Sequence, residues 1–224
     1  MAMQMVKKDL EVYCLKYAET EITEAMVIDK GDKQRKIPIC FAIYLIKTED
    51  KKILVDAGCD TMPSFNMKKF FSPAFVLRQV GLTAADITDV IVTHAHHDHI
   101  AALTHFEKAT LHITIDEYEQ GKKYIPSGMK TNCFKTEYSV SPNIKIIRWG
   151  GHNEGSAIVQ IKNGGITHIL AGDECYTDYN IKAKKHTGAY FDKKAAQKFI
   201  DTFVNSGYKV YTCHDSSLKT ERII

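Results

Sequence analysis

The chain has 224 residues, 44% of them hydrophobic and 25% charged, with a formal net charge of +3. A chain of this length favours one domain, here 1–224, and buries roughly 70–75% of its unfolded surface without disulfide staples. So mild a charge argues against a nucleic-acid partner, and the longest apolar run, Ile39 to Ile46, is far too short to span a membrane.

After Lys7 and Lys8, residues 10–17 alternate apolar and polar, which predicts a strand and no export signal. The six cysteines form no C-x-x-C pair, so a reduced, cytoplasmic protein is expected. Cys40 to Ile46 and Lys52 to Val55 read as a hairpin around the polar turn at 48–51, ending in Asp56-Ala57-Gly58. Pro73 to Val80 has helical spacing and stops at Gly81, and Thr83 opens a short capped turn. Asp89 to Thr93 and Leu111 to Ile115 are short strands, the second followed by a helix at 116–121. Residues 122–142, with Pro126, Gly128 and Pro142, read as a loop covering part of a site. Strands follow at 144–147, 157–161 and 166–170, the last two joined by Asn163-Gly164-Gly165. An amphipathic helix at 191–204 leads through Gly207 to a final strand, 208–212. Strands interspersed with helices indicate a layered α/β or α+β domain.

The decisive segment is Thr93-His94-Ala95-His96-His97-Asp98-His99, directly after a predicted strand. In an extended segment, residues two apart point the same way, so His94 and His96 can grip one metal while Asp98 and His99 face another position. Imidazole and carboxylate donors suit zinc, and also Fe2+ or Mn2+. A purification-tag-like run would sit at a terminus, and satisfied core histidines come singly. His152, Asp173 and His214 each stand just past an apolar run, where α/β enzymes place their sites. His105, His112, His168 and His186 fit no such pattern and are expected at the surface or as satisfied core groups. Cys175 and Cys213 neighbour these positions in sequence, but adjacent strand residues face opposite ways, so neither need touch a metal.

The H-x-H-x-D-H run at 94–99, followed in order by His152, Asp173 and His214 and preceded by Leu54-Val55-Asp56-Ala57-Gly58, resembles the metallo-β-lactamase superfamily over roughly residues 40–215. The resemblance implies a four-layer αβ/βα sandwich. It implies that His94, His96 and His152 hold one metal ion, that Asp98, His99 and His214 hold another, and that Asp173 bridges them. Within the superfamily, Asp173-Glu174-Cys175-Tyr176 and Cys213-His214-Asp215 are most similar to the acyl-homoserine-lactone lactonases, which implies a catalytic Tyr176. Ile100-Ala101-Ala102, Gly151 and His97 depart from the usual lactonase pattern and bear on the substrate rather than the metals.

These residues predict a metal-dependent hydrolase acting on a small molecule. A metal-bridging hydroxide would attack a lactone or ester carbonyl, with Asp98 moving the proton and Tyr176 steadying the oxyanion. A phosphodiesterase or nuclease of the same superfamily would need Lys182, Lys184, Lys185 or Arg148 near the metals. A non-catalytic metal-binding module would be expected to have lost ligands, and a flavin-linked di-iron protein to carry Glu at the second histidine. Asp56 is either a partner of a ligand histidine or a plain strand-end aspartate. Met62, Phe65, Met67, Phe70, Phe71 and Phe75 form either core or an acyl-chain wall.

Overall fold

The computed structural model describes residues 10–63, 65–204 and 206–224, so Lys7 and Lys8 lie outside the described residues. Its strands are β1 (Glu11–Thr23), β2 (Lys36–Lys47), β3 (Lys52–Val55), β4 (Asp89–Ile91), β5 (Thr110–Thr114), β6 (Thr131–Phe134), β7 (Glu137–Ser141), β8 (Ile144–Arg148), β9 (Ala157–Asn163), β10 (Ile166–Leu170), β11 (Lys209–Tyr211) and β12 (Glu221–Arg222). Its helices are α1 (Glu24–Val27), α2 (Pro73–Arg78), α3 (His97–Ile100), α4 (Ile115–Gly121), α5 (Asp178–Ala183) and α6 (Lys193–Phe203).

The strands build two sheets. One has the order β12-β1-β2-β3-β4-β5-β6, the other β11-β10-β9-β8-β7. In the first, β3, β4, β5 and β6 run parallel, while β1, β2 and β12 are antiparallel additions. In the second, only β11 is parallel to its neighbour.

Alternation along β1 and β2 explains the layering. Leu15, Tyr17, Ile43 and Leu45 point to a core shared with Val76 and Leu77 of α2 and with Leu103 and Phe106. Val12, Cys14, Ala42, Tyr44 and Ile46 point the other way and meet Ile144, Ile146, Val159 and Ile161 of the second sheet. A third core lies behind that sheet, where Ile158 and Ile169 pack on Phe199, Ile200 and Phe203 of α6. Three apolar seams separate four layers, as expected of an αβ/βα sandwich.

Several boundaries differ from the sequence reading. Residues 122–142 are not a continuous loop: β6 adds to the parallel sheet and β7 pairs with β8. Their faces are only half-buried, so they lack the apolar run that marks a strand. The chain returns after β11 to form β12 against β1, and α5 was hidden between charged residues. The Asn163 turn forms as predicted, with Gly164 and Gly165 both at positive φ, a conformation glycine adopts freely. Among the described residues no helix is long and apolar enough to cross a membrane, and no two cysteines are bonded.

Candidate metal centre

The predicted ligands come from both sheets and meet at one edge. β4 delivers His94 and His96, α3 carries Asp98 and His99, the β8–β9 connection carries His152, the turn after β10 carries Asp173, and His214 follows β11. A backbone bond from Ala157 N to Thr93 O, 2.9 Å, joins the two sheets beside them.

Two donor groups result. His94 Nε2 and His152 Nε2 lie 2.9 and 3.0 Å from His96 Nδ1. Asp173 Oδ2 faces the same group, 3.5 Å from His94 Nε2 and 3.3 Å from His152 Nε2. The other oxygen, Asp173 Oδ1, lies 3.2 Å from His99 Nε2 and 3.1 Å from His214 Nε2. Asp98 Oδ2 completes that side, 3.3 and 3.7 Å from the same two nitrogens. All seven predicted ligands are therefore brought together, and Asp173 turns one oxygen to each group.

Hydrogen bonds on the far side of the rings fix which nitrogens carry protons. His152 Nδ1 faces Ala189 O and His214 Nδ1 faces Cys40 O, at 3.1 and 2.9 Å. A carbonyl can only accept, so both Nδ1 atoms donate, and in the neutral rings both Nε2 atoms present lone pairs to the site. Asp56 Oδ2 accepts from His99 Nδ1 at 2.8 Å and from Thr93 Oγ1 at 3.0 Å. Thr93 Oγ1 then accepts from His94 Nδ1 at 3.2 Å. Asp56 is thus a partner of one candidate ligand ring, and through Thr93 it orients a second one. Its backbone sits at φ +64°, a left-handed conformation that aspartate tolerates better than most residues.

Lone pairs and carboxylates converging at about 3 Å repel one another unless a cation lies between them. His99 Nε2 is buried without a hydrogen-bond partner, which fits the same need. His94, His96, His152 and Asp173 present donors within 4.8 Å of one another, as do His99, Asp173, Cys213 and His214, and the imidazole–carboxylate set suits divalent metals. Without an ion the two sides differ. Burial and the charge of His99 hold His94 well below the usual histidine range. For His99 and His214 burial acts in the same direction, but Asp173 and Asp98 outweigh it and raise both. Burial would raise Asp98, yet His99 and His214 hold it below the usual carboxylate range.

Tyr176 sits over both groups, its ring centroid 5.7 Å from that of His152 and 5.1 Å from that of His214. Burial and the Asp173 and Asp98 charges push its hydroxyl well above the usual phenol range, so it remains a donor. His97 bonds to Tyr124 Oη at 3.1 Å and Thr61 O at 2.6 Å, joining the segments on either side of the site. Met62, Phe65, Met67 and Phe70 are half-buried against the first core, whereas Phe71 and Phe75 stack on each other at the surface.

Four features escaped the sequence reading. Cys213 Sγ lies 3.3 Å from Asp173 Oδ1, among the donors rather than facing away, because the chain has left the strand by then. Tyr17 Oη donates to Asp98 O at 2.9 Å. Glu174 Oε1 accepts from Gly151 N, His152 N and Ser156 Oγ, and burial pushes its carboxyl up to about 7. A methyl on Gly151 would lie 2.1 Å from Glu174 Oε2, which explains the glycine there. Glu117, buried in α4, accepts from Ala95 N and Gly155 N. An acidic pair inside an apolar stretch was the one available signal for Glu174; nothing in the sequence marked Glu117. Three of the four unassigned histidines are satisfied as expected, His112 on Asp89 at 2.8 Å, His105 on Asp60 at 2.7 Å and His168 on Tyr211 Oη at 3.1 Å, whereas His186 is buried, with Nδ1 on Thr187 O and Nε2 without a hydrogen-bond partner.

Comparison with known proteins agrees with this architecture. The metallo-beta-lactamase superfamily profile matches residues 42–198. An N-acyl homoserine lactonase, AiiB of Agrobacterium fabrum, is 25% identical over 186 residues, covering 65% of this chain and 67% of the relative. A probable metallo-hydrolase of Mycobacterium tuberculosis is 23% identical over 174 residues, covering 60% and 56%. An N-acyl homoserine lactone hydrolase, solved with N-hexanoyl-L-homoserine at its catalytic metal centre, superposes with a TM-score of 0.82 at 20% identity, covering 95% of this chain and 98% of that one. Since the family match spans more than half of the residues, and the fold agrees with it, this chain belongs to the metallo-beta-lactamase superfamily of metal-dependent hydrolases.

Proposed function

We propose that this protein is a two-metal hydrolase that opens a lactone or another carboxylic ester of a small molecule. The observation that carries the reading is the division of Asp173, with one oxygen on the His94–His96–His152 group and the other on the His99–His214 group. Zinc leads on donor type, and Fe2+ or Mn2+ fit the same set. When bound, such ions supply Lewis acidity and a water ionisable near neutral pH.

The protein's own groups then have separable tasks. His94, His96, His152, His99, His214, Asp173 and Asp98 hold the ions. Asp98, ionised and 13% exposed, takes a proton from the attacking water and returns it to the alkoxide oxygen as the acyl C–O bond breaks. Tyr176, kept protonated, donates to the oxygen of the former carbonyl as charge builds on it. Water is added across the ester bond, and a hydroxy acid leaves.

Phosphoryl chemistry would call on Lys182, Lys184, Lys185 or Arg148, and one of these is already paired within the protein. Lys182, Lys184 and Lys185 are exposed around the end of α5, and Arg148 is committed to Asp116 at 3.0 Å. The test is metal content of untagged protein, followed by a panel of lactone, ester and phosphodiester substrates. About two ions per chain with lactone or ester turnover is expected. Two ions with phosphodiester turnover alone would transfer the protein to that class, and failure to retain or rebind any ion would remove the metal assignment.

A further inference from the structure

We infer that Glu117 is a positioning residue for the first metal group, a buried carboxylate that sets the separation between the loop of His94 and His96 and the loop of His152. This rests on the metal reading above. Glu117 lies on α4, beneath the site, and is fully buried. Its Oε2 accepts from Ala95 N at 2.7 Å and from Asn153 Nδ2 at 3.3 Å, and its Oε1 accepts from Gly155 N at 3.0 Å. Ala95 stands between two ligand histidines, and Asn153 directly follows the third. One side chain therefore grips both loops, one from each sheet.

The grip is built from both sides. Thr114 caps α4, accepting from Glu117 N at 3.4 Å, and its hydroxyl donates to Gly155 O at 2.8 Å. Gly155 is thus held at both its N–H and its carbonyl. A methyl there would lie 2.6 Å from Thr114 Oγ1 and 2.9 Å from Glu117 Cγ, so only glycine allows the loop to seat this closely. The geometry answers to the chemistry above it. His96 and His152 come from loops 56 residues apart in sequence, and their ring nitrogens must meet at 3.0 Å. The carboxylate is suited to this because both its oxygens accept. A glutamine of the same shape would turn an NH2 toward one of the two loops, setting donor against donor and releasing that loop.

The test is Glu117→Gln, titrated with Co2+ as the chelator-stripped protein beside the wild type. The metal-free variant is expected to keep wild-type circular dichroism, while its affinity for the ion of the histidine-rich group falls about 10–100-fold. The visible Co2+ spectrum should change as one imidazole is lost. A merely structural role would lower the thermal midpoint and leave affinity and spectrum alone, and that result overturns the inference. Asn153→Ala removes one bond from the loop side and covers the case in which Glu117→Gln does not fold. A smaller weakening is expected there, and an unchanged titration again overturns it. Wild-type protein that binds no Co2+ would remove both this inference and the metal assignment, whereas normal metal binding without lactone turnover would count only against the proposed substrate.

Discussion

Strand β4 carries a buried charged cluster at each end, and the two are built on opposite terms. At its start, Asp89 is bonded to Lys51 Nζ at 2.9 Å, His112 Nε2 at 2.8 Å and Thr88 Oγ1 at 2.7 Å. Burial pushes the Asp89 carboxyl up, but these hydrogen bonds outweigh it and hold it well below the usual range. Every charge there has its partner within the protein. At the other end, past Thr93, nitrogen lone pairs face one another and two carboxylates, and His99 Nε2 has no hydrogen-bond partner. Histidine and aspartate serve at both ends. What separates framework from function is whether the set is complete without a ligand.

That contrast can be broken most forcefully at the open end. Asp98→Asn should cut turnover about 10²–10⁴-fold, the range for loss of a general acid–base group, when assayed with enough added ion for elemental analysis to show full metal content. Near-normal turnover at full metal content would remove the role given to Asp98. Tyr176→Phe should cost somewhat less, about 10²–10³-fold in kcat, as expected for one oxyanion donor. A change in KM alone would show that the ring packs against substrate without donating.

The closed end should answer in stability instead. Asp89→Asn strands Lys51 and His112, and a loss of about 3–5 kcal/mol is expected in urea unfolding, with ion content unchanged. Its pH dependence has a definite sign. A carboxylate with a depressed folded pKa stabilises above its unfolded value, near 4, and loses that contribution as pH falls. The gap between wild type and variant should therefore narrow in acid. Smallest of all, chelation should destabilise the wild type by about 3 kcal/mol if free ion had stood near a hundred times its dissociation constant, and chelator should leave the difference between wild type and Asp89→Asn unaltered.

The candidate ligands are legible in the sequence because they are concentrated there. Four donor residues in six positions, then three more each ending an apolar run, have little other use. The long strands were legible for a related reason, since Cys40 to Ile46 is buried on both faces and has to be continuously apolar. What stayed hidden was half-exposed or depended on distant contacts. β6 and β7 have mixed faces, and β12 is a strand only because β1 offers it an edge. Strand alternation, by which Cys213 need not touch a metal, no longer applies beyond Tyr211. Glu117 is an ordinary helix residue by composition, and its burial depends on two loops that arrive from elsewhere in the chain.

Asp56 has a further consequence. One carboxylate receives the His99 ring directly and the His94 ring through Thr93, and those rings belong to different candidate donor groups. Immobilising either ring stiffens the same hydrogen-bonded chain, so the ordering entropy spent when one ion arrives is not spent again for its neighbour. On the two-metal proposal, occupancy of the two positions should accordingly be cooperative, filling together over a narrow range of ion concentration, with a half-loaded protein as the minority species.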